Sequence, residues 1–267
     1  MDARLRRLQA RILPNGSLDV VRQVLLFGVV YLAYRLVRGM VEGRPTAAFE
    51  HARELIRFEE TLHLFVEPSV QAWASGSHLL MYVSSLLYVN AQTTVTVGAL
   101  VYLYLCHNRS FYFVRNMLII SMTIALVGYA VFPTAPPRFM PEWGFFDPVS
   151  VFTGMHIETA HGGSGTTTAL TNIYAAVPSM HVAFALMIGW PLARLVRWRA
   201  LRVLWMVYPL LMAFVIIATA NHFILDALLG ALTAGLSAYG AGWLARARPA
   251  AWRFSPAPAP ARLGASA

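Results

Sequence analysis

Six apolar stretches, each near the roughly 20 residues that a bilayer crossing demands, constrain this chain more than any other feature of its 267 residues. They run at about 19–40, 78–106, 113–132, 179–195, 201–220 and 222–245. Lipid offers no partner to a backbone N–H or C=O, so stretches of this length must satisfy their own polar groups as helices. The expected fold is therefore all-α, a polytopic membrane helix bundle with six transmembrane helices. Composition agrees: 58% of residues are hydrophobic and 12% charged, too apolar for an ordinary soluble domain. The second stretch is long and has Asn90 in its middle, which leaves a seventh, short segment open. Pro191 in the fourth predicts a kink.

The net charge of +9 is carried by arginine alone, since the chain has no lysine. In a soluble protein that balance would suggest nucleic acid. Here the arginines cluster between spans, which is an orientation signal, and no nucleic-acid partner is expected. Arg4, Arg6, Arg7 and Arg11 precede the first span with no small-residue cleavage site behind them, so no removable signal peptide is expected and that end is placed in the cytoplasm. Six crossings put the Arg109/Arg115 turn, the Arg194, Arg197, Arg199 and Arg202 loop, and Arg246, Arg248, Arg253 and Arg262 on the same side. The carboxylates from Glu42 to Glu67, with Glu142, Asp147 and Glu158, fall outside. Arg35 and Arg38, at the outer end of the first span, run against the trend. The expected protein is thus a multi-pass plasma-membrane protein with both termini cytoplasmic. Its parts are a basic N-terminus (1–18), a catalytic membrane domain (19–246) and a Pro/Ala-rich tail (247–267) too poor in packing residues to fold. The single cysteine, Cys106, has no partner for a disulfide.

Between the first two spans, 47–71 carries Leu55, Phe58, Leu62, Phe65 and Val66 at helical spacing, interleaved with Glu54, Arg57, Glu59 and Glu60. That pattern predicts an outer interfacial amphipathic helix whose carboxylates form a solvated face without chemistry. The stretch 133–176 is the longest outside the spans, with a proline-rich start and a Gly162-Gly163-Ser164-Gly165 middle. Long loops of this kind are usually functional or disordered. Leading directly into a histidine, this one reads as a lid or substrate-access loop, with a mobile connection the alternative.

Two segments put ionisable groups where an apolar chain should have none: Val177-Pro178-Ser179-Met180-His181 and Asn221-His222-Phe223-Ile224-Leu225-Asp226. A charge inside a span costs roughly 2.5–3.5 kcal/mol on insertion scales, which makes such groups functional candidates by default. At a spacing of four, Asp226 can accept from one ring nitrogen of His222 and leave the other as nucleophile or base. His181 falls in the first turn of another span, with Ser179 as its N-cap and the positive end of the helix dipole beside it. Arg138, stiffened by two prolines, can grip phosphate oxygens bidentately. These groups suit phosphoryl transfer on the outer face, one imidazole attacking phosphorus while the other donates to the leaving oxygen. The chemistry calls for no metal and no cofactor. Two other readings stay open. The histidines can be helix-to-helix hydrogen-bonding groups, or His181, His222 and Asp226 can join His156 or His161 in a zinc site.

Pro178-Ser179-Met180-His181 resembles the second signature of the phosphatidic acid phosphatase type 2 superfamily, and His222 to Asp226 resembles the histidine-to-aspartate half of its third. The wider patterns Ala135-Pro136-Pro137-Arg138 and Asn172 to His181 are similar to the branch that includes inositol phosphorylceramide synthases. The resemblance covers about 47–240. It implies a six-helix membrane fold, His222 as the nucleophile that forms phosphohistidine, Asp226 as its orienting partner, His181 as general acid, and Ser179 and Arg138 as phosphate ligands. The chain departs from the usual signatures at Met180, where glycine is common, and at Ile216, where an arginine is common; the lysine of the first signature has no counterpart. With fewer cations, Asn172 or Asn221 is expected to join Arg138. The implied substrate is a lipid phosphoester in the bilayer, with an acceptor alcohol if the reaction is head-group transfer of the phosphoinositol type. Hydrolysis of a lipid or polyprenyl (di)phosphate is the alternative, and a non-catalytic carrier is a third.

Overall fold

A computed structural model describes residues 16–40, 45–155 and 173–249 of the chain. The regular structure of the described residues is helical, with a single parallel bridge between Thr134 and Ala175 as the only sheet-like contact among them. The helices are α1 (Ser17–Met40), α2 (Pro45–Thr61), α3 (Glu67–Ser75), α4 (His78–Cys106), α5 (Asn108–Val131), α6 (Pro148–Thr153), α7 (Met180–Leu195), α8 (Arg199–Ala218) and α9 (Ile224–Ala247). Five of them, α1, α4, α5, α8 and α9, are long and apolar enough to cross a membrane. The fourth expected span appears as α7, apolar but 16 residues long, or about 24 Å at 1.5 Å per residue. It is preceded by 174–179, an irregular segment whose residues are all buried. Non-helical backbone at such a position needs protein around it.

That protein is the rest of the bundle. α7 packs against α4, α5, α8 and α9, which makes it the central helix. Its buried Met180, Ala183, Phe184, Met187, Ile188 and Leu192 join the main core. α4 is one continuous helix through Asn90, whose amide donates to Leu86 O at 3.0 Å instead of breaking the turn. Pro191 sits within α7, which runs on to Leu195.

Three expectations need correction. The amphipathic stretch is two helices rather than one, divided at 62–66, where His63 takes φ +55°. Its buried face is Ala48, Ala52, Leu55, Ile56 and Glu59, so Phe58, Leu62 and Val66 are exposed, and Glu59 is wholly buried rather than solvated. Arg115, assigned to a cytoplasmic turn, lies inside α5 at 1% exposure and donates to Gln23 and Asn116. Asp19, in turn, accepts from Gln23, Tyr104 and Tyr112. This buried polar network docks the lower half of α1 onto α4 and α5. The N-terminal arginines, the loop histidines His156 and His161, the glycine-rich middle of the loop, Asn172 and most of the tail lie outside the described residues.

Candidate active site

The two histidine segments meet at one end of the bundle, each at the start of a helix. α9 does not begin at His222. α8 ends in a Schellman turn, in which Asn221 N donates to Ile216 O (3.0 Å) and Ala220 N to Ile217 O (2.9 Å), with Ala220 at φ +49°. Glycine is usual at that position. An alanine there holds a left-handed conformation that costs about 1 kcal/mol. His222 follows the turn, and the first helical residue of α9 is Ile224. The His222–Asp226 contact, Nδ1 to Oδ2 at 3.3 Å, is therefore not two neighbours on a helix face. Asp226 is the third residue of α9, and its Oδ2 also accepts from Phe223 N at 2.9 Å. One carboxylate thus caps the helix and holds the imidazole, leaving Nε2 of His222 for chemistry.

Two further carboxylates complete that helix end. Glu67 accepts from Ile224 N and Glu59 from Leu225 N, both at 2.8 Å. Both glutamates are fully buried. Burial, and the Glu67 carboxyl beside it, push Glu59 up to about 9. Glu59 therefore holds its proton at neutral pH. Sequence reasoning missed both residues, because a glutamate among arginines at helical spacing looks the same whether it faces water or a distant helix end.

His181 is the second residue of α7. Its ring stacks on Tyr88 (centroids 4.6 Å) and its Nε2 donates to Tyr88 O at 3.2 Å, which leaves Nδ1. The His181 and His222 rings meet edge to face with centroids 5.6 Å apart. The Ser179 segment reaches them through two close approaches. Ser179 N donates to Asp226 O at 3.0 Å, and a Cβ on Gly230 would lie 2.3 Å from Ser179 O. A Cβ on Gly128 would lie 2.8 Å from Pro178 Cδ. Only glycine lets α9 and α5 close on this segment, and neither glycine stands out in an apolar sequence.

Arg138 sits in the one-turn 3-10 helix Pro137–Phe139, and the stretch that carries it is laced in place by backbone bonds from Thr134 N to Tyr174 O (2.8 Å), Ala135 N to Ala48 O (3.0 Å) and Arg138 N to Ala220 O (2.8 Å). The start of the expected lid is thus packed into the fold. The Arg138 guanidinium donates to Asn221 Oδ1, while Asn221 Nδ2 donates to Thr219 O and Oγ1 at 2.9 and 3.0 Å. Asn221 is thereby held as a brace for Arg138. Ser179 Oγ, Arg138 Nε and Asp226 Oδ1 are buried with no hydrogen-bond partner among the described residues. Although Ser179 occupies the N-cap position, its hydroxyl caps nothing.

A cavity of about 250 Å³ lies over these groups, lined by His181, His222, Arg138, Asn221 and Tyr88, with residues of α1 along one wall. A larger one, about 920 Å³, opens at the opposite end of α5, α7 and α9 between Arg109, Arg194 and Arg246, and no histidine reaches it. Chemistry rather than size therefore marks the smaller as the candidate. Among the described residues no three His, Cys, Asp or Glu side chains gather into a metal-binding group, and the loop histidines that the zinc reading needs lie outside them.

The arrangement offers two imidazoles across a small cavity, one backed by a carboxylate, with an unpartnered hydroxyl, a guanidinium and a helix N-terminus around them. A family model described as the PAP2 superfamily matches residues 53–240, more than half of the chain. No curated protein and no solved structure matches it.

Proposed function

The chain belongs to the PAP2 superfamily, and from that premise we propose that it moves a phosphoryl group from a lipid phosphoester through a phosphohistidine at His222. Membership places it among lipid phosphatases and phosphotransferases, and its apolar helices place it in a membrane. The observation that carries the finer reading is the facing pair of rings, 5.6 Å apart, with Asp226 on Nδ1 of one. Nε2 of His222 attacks phosphorus as the bond to the leaving oxygen breaks, and His181 gives that oxygen a proton from Nδ1. An acceptor hydroxyl or water then loses its proton to His181, attacks phosphorus and releases His222. Arg138, Ser179 and the amides at the start of α7 stabilise the charge on the phosphoryl oxygens. Asn221 fixes Arg138, and Asn172 is proposed as a further ligand from the sequence pattern alone.

Head-group transfer of the phosphoinositol type is the proposed reaction, supported by the likeness of Ala135 to Arg138 and of Asn172 to His181 to the synthase branch. Hydrolysis of a lipid or polyprenyl (di)phosphate is the second reading, favoured by the positive charge of the cavity. The site is proposed to face the outer side, with both termini cytoplasmic, because Arg109, Arg194, Arg197, Arg199, Arg202, Arg246 and Arg248 gather at the other end of the bundle. The test is release of phosphate or head group by protein purified in detergent, using phosphatidylinositol, phosphatidic acid and a polyprenyl diphosphate, with His222→Ala beside wild type. Product that forms only with an added alcohol supports transfer, and inorganic phosphate without one supports hydrolysis. Activity unchanged in His222→Ala would remove the site assignment.

A further inference from the structure

The larger cavity, at the far end of the bundle from the histidines, takes no part in the proposed reaction. It opens between α5, α7 and α9, and Arg109, Arg194 and Arg246 reach it from those three helices in turn. Along α7, His181 and Arg194 stand about 20 Å apart. Arginines at the end of a span ordinarily extend outward to water and head groups. Two of these turn the other way. The Arg194 guanidinium lies 4.6 Å from the ring centroid of Trp190, one turn back along α7. An Nη of Arg246 comes within 3.6 Å of the point where a Cβ on Gly242 would stand, again one turn back from the helix end. A cation in the last turn gains by reaching the free carbonyls there, and both of these reach away from them. Arg109 has the converse problem. It is the second residue of α5, where the helix dipole disfavours a cation, and the N-cap His107 makes no side-chain cap to that helix. An anion in the cavity removes all three conflicts.

The chain holds almost nothing to supply that anion. None of the residues lining the cavity is a carboxylate. All but two of the 12 aspartates and glutamates belong to 42–67, to 142–158 or to the start of α9, stretches that build the histidine end or adjoin it in sequence. Of the two, Asp19 accepts from the Tyr112 hydroxyl behind the cavity, but it is buried and also accepts from Gln23 and Tyr104. The Arg115 guanidinium lies 5.3 Å from the same Tyr112 ring. The other, Asp2, shares 1–15 with four arginines. Residues 250–267, which follow the lining residue Pro249, add Arg253 and Arg262 and no aspartate or glutamate. Between the arginines the walls are apolar or small, with Phe113 and Met117 on α5 facing Ala238 and Gly242 on α9. A free anion leaves those walls wet, whereas an acyl chain covers them.

We propose that this cavity holds an anionic phospholipid as a bound, non-reacting lipid. Its phosphate sits among the three guanidiniums at the start of α5, and its acyl chain runs along Phe113, Met117, Ala238 and Gly242. Basic pockets between membrane helices bind anionic head groups in this way. The lipid bridges helices whose other ends carry His181 and Asp226. The site is independent of the phosphoryl-transfer reading, since no histidine lines it.

The experiment is native mass spectrometry of the full-length protein in detergent, titrated with phosphatidylglycerol and with phosphatidylcholine, paired with thermal melting. Wild type is expected to hold phosphatidylglycerol about tenfold more tightly and to melt higher in its presence. Arg194→Gln/Arg246→Gln lowers phosphatidylglycerol affinity about tenfold and abolishes the shift in melting. Arg197→Gln/Arg202→Gln removes the same charge from the same end, outside the cavity lining, and leaves both readouts unchanged. Gly242→Leu fills the cavity wall without changing charge and weakens phosphatidylglycerol as well; it decides alone if the glutamine pair fails to fold. A wild-type preference near one overturns the site. So does an equal loss in the two arginine pairs, which would be attraction by surface charge alone, or full affinity in Gly242→Leu, which would place the lipid elsewhere. Glycerol phosphate displacing the lipid at equal concentration would make this a free-anion site and overturn the lipid assignment.

Discussion

Two helix N-termini meet at this site, and they are built in opposite ways. At the start of α9 the backbone N–H groups of Phe223, Ile224 and Leu225 are each taken by a carboxylate, from Asp226, Glu67 and Glu59 in turn. At the start of α7 the N-cap is Ser179, no side chain caps the helix, and the serine hydroxyl is buried without a partner among the described residues. A helix N-terminus attracts anions through its unpaired amides and its dipole. At α9 that attraction is already satisfied by the protein, so His222 sits on a rigid mount. At α7 it remains available, beside His181 and the Ser179 hydroxyl. On the proposed mechanism the difference separates the two tasks of phosphoryl transfer, one helix end holding the nucleophile and the other receiving the anion.

The strongest way to break this contrast is at the mount. Asp226→Asn replaces an acceptor by a donor next to His222 Nδ1, which inverts the ring's tautomer. Turnover is expected to fall about 10³- to 10⁴-fold, with the fold retained as judged by thermal melting; a loss under tenfold would mean that the carboxylate does not orient the ring. Next in size is Gly230→Ala, whose Cβ would lie 2.3 Å from Ser179 O. Pushing the two helix ends apart is expected to cost about 1–3 kcal/mol in stability and about 100-fold in turnover. Wild-type kinetics in that variant would show that the close approach has no functional role.

Ser179→Ala sharpens the comparison from the other side. Turnover is expected to drop about tenfold to 100-fold, while stability stays within about 0.5 kcal/mol, because the hydroxyl caps nothing. Ser77 supplies the control, since its Oγ accepts from Leu80 N at 3.4 Å at the start of α4. Ser77→Ala should cost about 1 kcal/mol and leave kinetics unchanged, and a reversal of the two outcomes would contradict the assignment of roles.

The smallest effect concerns pH. Glu59 is raised from 4.5 to about 9 in the folded chain, so between those values the folded protein keeps a proton that the unfolded chain has released. Stability therefore declines as pH rises across this window and levels off above it, where the folded carboxyl ionises too. Melting temperature is expected to fall between pH 6 and 9 in wild type and to flatten in Glu59→Gln, which keeps an acceptor for Leu225 N. An equally steep fall in the variant would place the proton elsewhere.

What the sequence made legible follows the physics of each feature. Apolar length exposed five of the spans directly, because bilayer thickness acts on consecutive residues. His181, His222 and Asp226 stood out because polar groups are rare in such stretches, and the structure does bring the two rings together. The features that were hidden depend on partners far along the chain. Glu59 lies 166 residues from Leu225, and Glu67 lies 157 from Ile224, so helical periodicity alone made Glu59 look solvated. Arg115 was read as a loop charge because its partner Gln23 lies in another span. Gly128 and Gly230 merge with the small residues of any membrane helix. Ala220 concealed the end of α8, since the left-handed residue that closes the turn is not a glycine.

The most direct measurement is the phosphoenzyme itself. Purified protein is mixed with a lipid phosphoester, quenched within the first turnovers and mapped by peptide mass spectrometry. A phosphoryl group on the peptide containing His222, labile to acid, stable to base and lost in His222→Ala, is the predicted result. Full turnover in His222→Ala, or a phosphoryl group carried on a different residue, would contradict the division of labour between the two helix ends.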